Sequence, residues 1–361
     1  MRALFEELGW LPPAPADFAA RVSNSRQTGE ALRRLATHAL GEHQLARLSA
    51  AIDAARLRGA DLSPLVPFRL GIAGTVTLDY MPKSLVATAA RHGIALECVT
   101  APMGEVLQSA ANPESTLRRG RLDAILLALD AASLGLVDRE ARDASDGHEG
   151  RSVVDAALAH VDTVCGHFAE SGIACLVQTL AAPPESLLGS LDAALPSSAR
   201  WLGAEFNRGI VERSQRRSVI VVDTARIAET VGLADWHDPT LWNLAMVPFH
   251  NRWLPLWSDV VCRVIAAMRG KSRRCLVLDL DNTIWGGIVG DDGVEGLVIG
   301  AGDATGQAFV AVQRMALALR SRGVVLAVRE GLNKSTNVRL RSVSKNEEQE
   351  CVRTRGFEVI L

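Results

Sequence analysis

From residue 68 onward, short continuous apolar runs alternate with amphipathic helical segments, and this alternation constrains the fold more than any other feature. FRLGIAG (68–74), IALECVTA (94–101), LDAILLALD (122–130), IACLVQTL (173–180) and SVIVVDT (218–224) read as five strands. Between them, SLVATAARHG (84–93) and VVDAALAHVDTVCGHFAESG (153–172) carry helical periodicity and end in glycine. Strands that are apolar on both faces and separated by helices predict a parallel sheet covered on both sides. The expected fold class is therefore α/β, with ligands outside the C-terminal ends of the strands.

Before the alternation, residues 26–58 show apolar positions at helical spacing, Leu32, Leu35, Ala36 and Leu40, then Leu45, Leu48, Ile52 and Ala55. Pro64 and Pro67 punctuate the linker between these helices and the first strand. WSDVVCRVIAAMRG (257–270) reads as a closing helix, and the polar GKSRR marks a boundary. The expected organisation is a helical lead-in over 1–67, an α/β domain over 68–268 and a second α/β domain over 271–361. The second domain restarts the pattern with strand CLVLD, helix GQAFVAVQRMALALRSRG (306–323) and strand VVLAV (324–328).

With 39 Lys+Arg against 41 Asp+Glu, the chain has no charge excess that would favour nucleic acid or an anionic membrane as partner. The six cysteines form no CxxC pair, so neither a disulfide framework nor a structural zinc site is expected, and a cytoplasmic setting fits. The acidic, proline-rich start, MRALFEELGWLPPAPADF, is not expected to be a secretory leader. No apolar run reaches membrane-spanning length; the longest is interrupted at Asp130.

Asp279 and Asp281 fall where the strand CLVLD gives way to a loop. Residues two apart on a strand point to the same side, so two carboxylates would lie close together and repel. A hard cation such as Mg²⁺, bound through oxygen, compensates them. That combination suits phosphoryl transfer: one carboxylate attacks phosphorus and the other protonates the leaving oxygen. The Thr283 hydroxyl is expected to bond the loop or the second carboxylate. The acids of WGGIVGDDG (285–293) are expected to be solvated, on a tight turn between two short strands. Cys275 is expected to pack in the core.

The string CLVLDLDNT resembles the first motif of the haloacid dehalogenase (HAD) superfamily of aspartate-nucleophile phosphatases. CLVLDLDNTIWGGIVGDDGVEGLVIG resembles its FkbH-like branch, with HAD-IIIC-type chemistry. GIAGTVTLDYMPKSL, LVQTLAAPP, Asn207, IVVDTARIAETVG and DPTLWNLAMVPFH resemble that family's leading SGNH-hydrolase-like domain. The resemblance implies transfer of a glyceryl group from 1,3-bisphosphoglycerate to an acyl carrier protein thiol with loss of phosphate, for polyketide extender units. It also implies that Asp279 is the nucleophile and a Mg²⁺ ligand. Asp281 would be the acid/base and a ligand through its backbone carbonyl, and 285–293 a flap hairpin.

The pattern breaks after VVLAV, where the family runs directly into Cys-Ser-Lys-Asn. Here the first Ser-Lys-Asn is 344–346, and Val343 precedes it. Ser344 is the candidate for the second, phosphate-binding motif; Lys345 and Asn346 are weaker candidates, and Cys351 is the nearest thiol. No counterpart of the third-motif lysine or of the downstream acidic pair is legible, so the second domain is expected to be truncated or degenerate and to turn over poorly or not at all. In the first domain, Thr75 and Thr77 stand where an SGNH hydrolase would place Gly-Asp-Ser. Asp238 and His250 are twelve residues apart rather than in an Asp-x-x-His motif. Protein binding is therefore expected there in place of ester hydrolysis, with His237 and His250 as surface or capping residues. The sequence leaves three functions open: the glyceryl transferase, a generic HAD small-molecule phosphatase, and a non-catalytic carrier-protein-binding module.

Overall fold

The computed structural model describes residues 2–24, 28–138, 147–216, 219–300, 302, 304–329 and 340–342. The chain divides into two compact units, Met1–Lys271 and Ser272–Leu361.

The first unit is built on five parallel strands: β1 (Val66–Gly74), β2 (Ile94–Thr100), β3 (Ala124–Ala128), β4 (Ala174–Gln178) and β5 (Ile220–Val222). Their order is β2-β1-β3-β4-β5. The two-residue period of the strands sorts their side chains into two cores. Leu70, Ile72, Leu126 and Leu176 join one apolar cluster; Ile125, Leu127, Cys175 and Val177 join another. The first cluster lies against helices Met81–Arg91 and Leu254–Met268 and takes in Leu32, Leu48 and Ile52 of the leading helices. The second is covered by Gly147–Ala169 and Ala199–Gln215, with Phe168 and Phe206 fully buried. Each such side chain contributes about 1.5–3 kcal/mol of burial, so both layers are strongly held to the sheet.

β5 is shorter than its apolar run predicts. Asp223 turns from strand to helix cap and accepts a hydrogen bond from the Arg226 amide at 3.2 Å, which starts helix Thr224–Val231.

A buried ion cluster ties the helices of the first layer together. Asp259 Oδ1 accepts from Arg91 at 2.8 Å and from His92 Nε2 at 2.9 Å, and Oδ2 accepts from Arg263 at 2.8 Å. Burial pushes the Asp259 carboxyl up, but the His92 hydrogen bond and the Arg91 and Arg263 charges together outweigh it and hold it at about 2.

In the second unit, β6 (Cys275–Asp279) pairs in parallel with β7 (Val325–Arg329), and helix Ala304–Arg320 joins them. A third strand, β8 (Leu340–Ser342), not among the strands read from the sequence, pairs with β7 antiparallel. Only the ten residues 330–339 separate the two strands, fewer than a parallel crossover requires. Leu276, Leu278 and Ala316 form the buried cluster. Cys275, expected in the core, is exposed: β6 alternates, and Leu276 and Leu278 occupy the inward positions.

Candidate functional site

β6 ends at Asp279, in backbone register with Arg329 of β7. The Asp279 side chain is exposed, and its Oδ1 accepts from the Leu280 amide at 3.1 Å. Asp281 is half-buried and more constrained. Its Oδ1 accepts from Trp285 Nε1 at 3.2 Å and from the Val289 amide at 3.4 Å. Between Leu280 and Ile284 the loop closes as a turn, with the amides of Thr283 and Ile284 donating to Leu280 O at 3.2 and 3.0 Å.

The residue expected to brace this loop was Thr283; that work falls instead to Asn282. Among the described residues the Thr283 hydroxyl has no hydrogen bond, and only its backbone takes part in the turn. Asn282 adopts a left-handed conformation, φ 55°, which asparagine tolerates better than most residues. Its Oδ1 accepts from the Gly287 amide at 3.0 Å, so one side chain spans the loop. Asn282 and Trp285 were the organising residues that sequence reasoning missed. The available signal was an asparagine directly after the second aspartate and an indole four residues beyond that aspartate.

The expected flap hairpin is reduced to a single antiparallel bridge between Gly286 and Val298, with amide-to-carbonyl distances of 3.1 and 2.9 Å. Residues Val289–Asp292 form one helical turn in place of the tight turn. Asp292, the last residue of the turn, reaches back so that its Oδ2 accepts from the Ile288 amide at 2.8 Å. Asp291 is exposed. Ser344, Lys345, Asn346 and Cys351 lie outside the described residues.

Asp279 and Asp281 supply only oxygen donors, which suits a hard cation, and Mg²⁺ is held by one or two carboxylates with water in its remaining positions. Oδ2 of Asp279 carries no described hydrogen bond and is available to such an ion; Asp281 would reach the ion through its backbone carbonyl, which leaves its own Oδ2, also without a described hydrogen bond, for proton transfer. Among the described residues, no group of three metal-capable side chains gathers.

The first unit has a cavity of about 520 Å³ at the C-terminal ends of its strands. At the end of β1, a Cβ on Gly74 would come within 2.4 Å of Ala128 O, so glycine permits the close approach of β3 there. Thr75, next in sequence, is fully engaged. Its hydroxyl donates to Asp130 Oδ2 at 2.6 Å and accepts from the Asp130 amide and Ser133 Oγ at 3.0 Å each. Thr77 donates to Ala245 O. Asn207 binds both backbone groups of Leu180, at 2.7 and 2.8 Å, and fixes the loop after β4.

Folding brings together the acid and histidine that are twelve apart in sequence: Asp238 Oδ2 lies 3.7 Å from His250 Nε2. Both act as caps. Asp238 Oδ1 accepts from the Leu241 amide at 3.0 Å, and His250 Nδ1 accepts from the Arg252 amide at 3.2 Å. His237 lines the cavity and donates from Nε2 to Ala182 O at 3.0 Å.

No family model matches the sequence, and no curated protein does. A similar fold is found in the N-terminal part of the protein BF1531 from Bacteroides fragilis, which contains a phosphatase domain complexed with Mg. It matches 82% of this chain and 74% of its own, at TM-score 0.69 and 23% identity. Weaker likeness, which adds nothing to the fold assignment, is seen to two other proteins. One is described as lipolytic, of the G-D-S-L family, from Desulfitobacterium hafniense, with 55% of this chain, 99% of its own, TM-score 0.33 and 11% identity. The other is described as an SGNH hydrolase from Slackia heliotrinireducens, with 56%, 99%, 0.34 and 9% respectively. The chain is α/β in fold. No helix among the described residues is long and apolar enough to cross a membrane.

Proposed function

We propose that this chain carries out phosphoryl-group chemistry at the end of β6, with Asp279 as nucleophile, Asp281 as acid/base and Mg²⁺ held by both. The observation that carries this reading is the difference between the two carboxylates: Asp279 is exposed at a strand end, while Asp281 is fixed through Oδ1 by Trp285 and Val289. An oxygen of Asp279 attacks phosphorus, the bond to the leaving oxygen breaks, and Asp281 delivers the proton to that oxygen. Water, deprotonated by Asp281, then hydrolyses the aspartyl phosphate and restores Asp279. A bound Mg²⁺ supplies charge neutralisation for the phosphate oxygens. The phosphatase domain with Mg in the Bacteroides fragilis structure of similar fold supports the reading.

The finer proposal is glyceryl transfer from 1,3-bisphosphoglycerate to an acyl carrier protein, resting on the FkbH-like string over 275–300. A thiol displaces the acyl phosphate, and removal of the remaining phosphate ester leaves a glyceryl thioester. Val343 in place of cysteine before Ser344 favours the generic phosphatase as second reading.

The test is phosphate release from 1,3-bisphosphoglycerate, corrected for spontaneous hydrolysis, together with intact-mass measurement of a carrier protein. A slow release that needs Mg²⁺ and disappears in Asp279→Asn supports phosphoryl chemistry. An added glyceryl mass on the carrier supports the finer reading; release without that mass supports the generic phosphatase. Release indifferent to both Mg²⁺ and Asp279→Asn overturns the assignment and leaves the carrier-binding module.

A further inference from the structure

The cavity at the strand ends of the first unit lies wholly within Met1–Lys271, and phosphoryl chemistry at Asp279 makes no use of it. Its volume of about 520 Å³ falls in the range of small-molecule sites. Its wall is mostly apolar: Val76, Met81, Trp236, Val247 and Phe249 line it, and the rings of Trp236 and Phe249 stack at 4.5 Å. Four carboxylates line it as well, Asp130, Asp138, Glu185 and Asp238, and among the described residues no lysine or arginine does. An anionic guest would meet these like charges in surroundings of low polarity, so phosphates and carboxylates are disfavoured.

Trp242 and Asn243 line the cavity with N–H groups, and Gln178 adds a donor pair whose orientation is fixed. The Trp257 indole N–H can only donate, so the atom of Gln178 it meets at 3.0 Å is the amide oxygen, Oε1. Thr224 donates to the same oxygen at 2.7 Å. The two N–H groups of Gln178 Nε2 have no acceptor among the described hydrogen bonds, and Gln178 lines the cavity. A carbonyl oxygen is the acceptor that matches them without adding charge. The hydroxyl nearest in role to a nucleophile, that of Thr75, donates its proton to Asp130 and touches no histidine among the described contacts.

We propose that this cavity binds, without cleaving it, an uncharged molecule with an apolar chain and a carbonyl group. The carbonyl accepts from Gln178 Nε2, and the chain lies against Trp236 and Phe249.

Calorimetric titration of the full chain with S-hexanoyl-N-acetylcysteamine, a neutral thioester, and with hexanoate tests this. The thioester is expected to bind saturably and be recovered intact, with hexanoate at least about ten-fold weaker, the cost of roughly one unpaired charge or lost hydrogen bond. Gly203 lines the cavity on helix Ala199–Gln215, and a Cβ there meets nothing within 4 Å. Gly203→Leu therefore occupies the guest's space and should abolish binding with an unchanged circular dichroism spectrum. Gln178→Glu keeps the acceptor for Trp257 and Thr224, removes the donors, and should weaken binding about ten-fold or more. Equal affinity for hexanoate, no saturable thioester binding, hydrolysis of the thioester, or unchanged affinity in the two variants would overturn the proposal.

Discussion

Trp285 donates its indole N–H to Asp281 Oδ1 at 3.2 Å, and the two residues also form a backbone bridge. The bond holds one oxygen of the half-buried carboxylate and leaves the other for chemistry. Trp285→Phe keeps an aromatic ring and removes the donor. Phosphate release is expected to fall about ten-fold in kcat with little change in KM, because a positioning bond worth about 1.4 kcal/mol is lost. Asp279→Asn removes the nucleophile and is expected to cost at least about 10²–10³, the scale of one well-placed group. Steady-state phosphate release at saturating Mg²⁺ checks both.

Asn282 combines a left-handed backbone with a hydrogen bond to Gly287. Asn282→Ala loses the bond and meets the full left-handed penalty of about 1–2 kcal/mol. Asn282→Gly loses the bond alone. The alanine variant is expected to show faster limited proteolysis within 280–300 than the glycine variant, and both faster than the parent. Equal rates in all three would show that the loop does not depend on this side chain.

Asp259 links acid stability to the first layer of helices. Its carboxyl is held at about 2, below the ordinary value of about 3.9. A lowered folded-state value means stability that is fully present above about pH 4 and lost as pH falls from about 4 towards 2. The contribution is about 2 kcal/mol, since Asp259 is almost fully buried. Asp259→Asn should remove this acid-side slope. It should also destabilise the protein at neutral pH by about 3–5 kcal/mol. The reason is that it leaves Arg91, only 7% exposed, without its counter-charge. Urea unfolding followed between pH 2 and 7 reads both effects.

Ester hydrolysis by the first unit is expected to stay at background. The Thr75 hydroxyl is committed to Asp130, while Asp238 and His250 serve as helix caps. Turnover of p-nitrophenyl acetate by the full chain should be unchanged in Thr75→Ser. A robust rate that rises in the serine variant and is lost in His250→Ala would show that the acid–histidine pair is a catalytic remnant.

The α/β class was legible in the sequence because covering a parallel sheet on both faces requires uninterrupted apolar strands such as AILLA of β3, and few other folds use them. The position of the D-x-D at the end of β6 was legible too, since it is a local pattern in the sequence. What the sequence could not carry were relationships made by long-range closure. Asp238 and His250 meet at 3.7 Å only because the segment between them folds back over the strand ends. Gln178 is oriented by Trp257, seventy-nine residues away. Thr75 is taken out of use by Asp130 from the neighbouring strand end, fifty-five residues on. Local misreadings had a different cause. Cys275 and Asp223 sit at strand ends, where one inward-facing neighbour or one capping bond decides whether a residue faces the core, faces water or starts a helix. Residue type and period determined which segments form strands and helices. Packing and hydrogen bonds formed between distant segments decided which polar groups are left free to act.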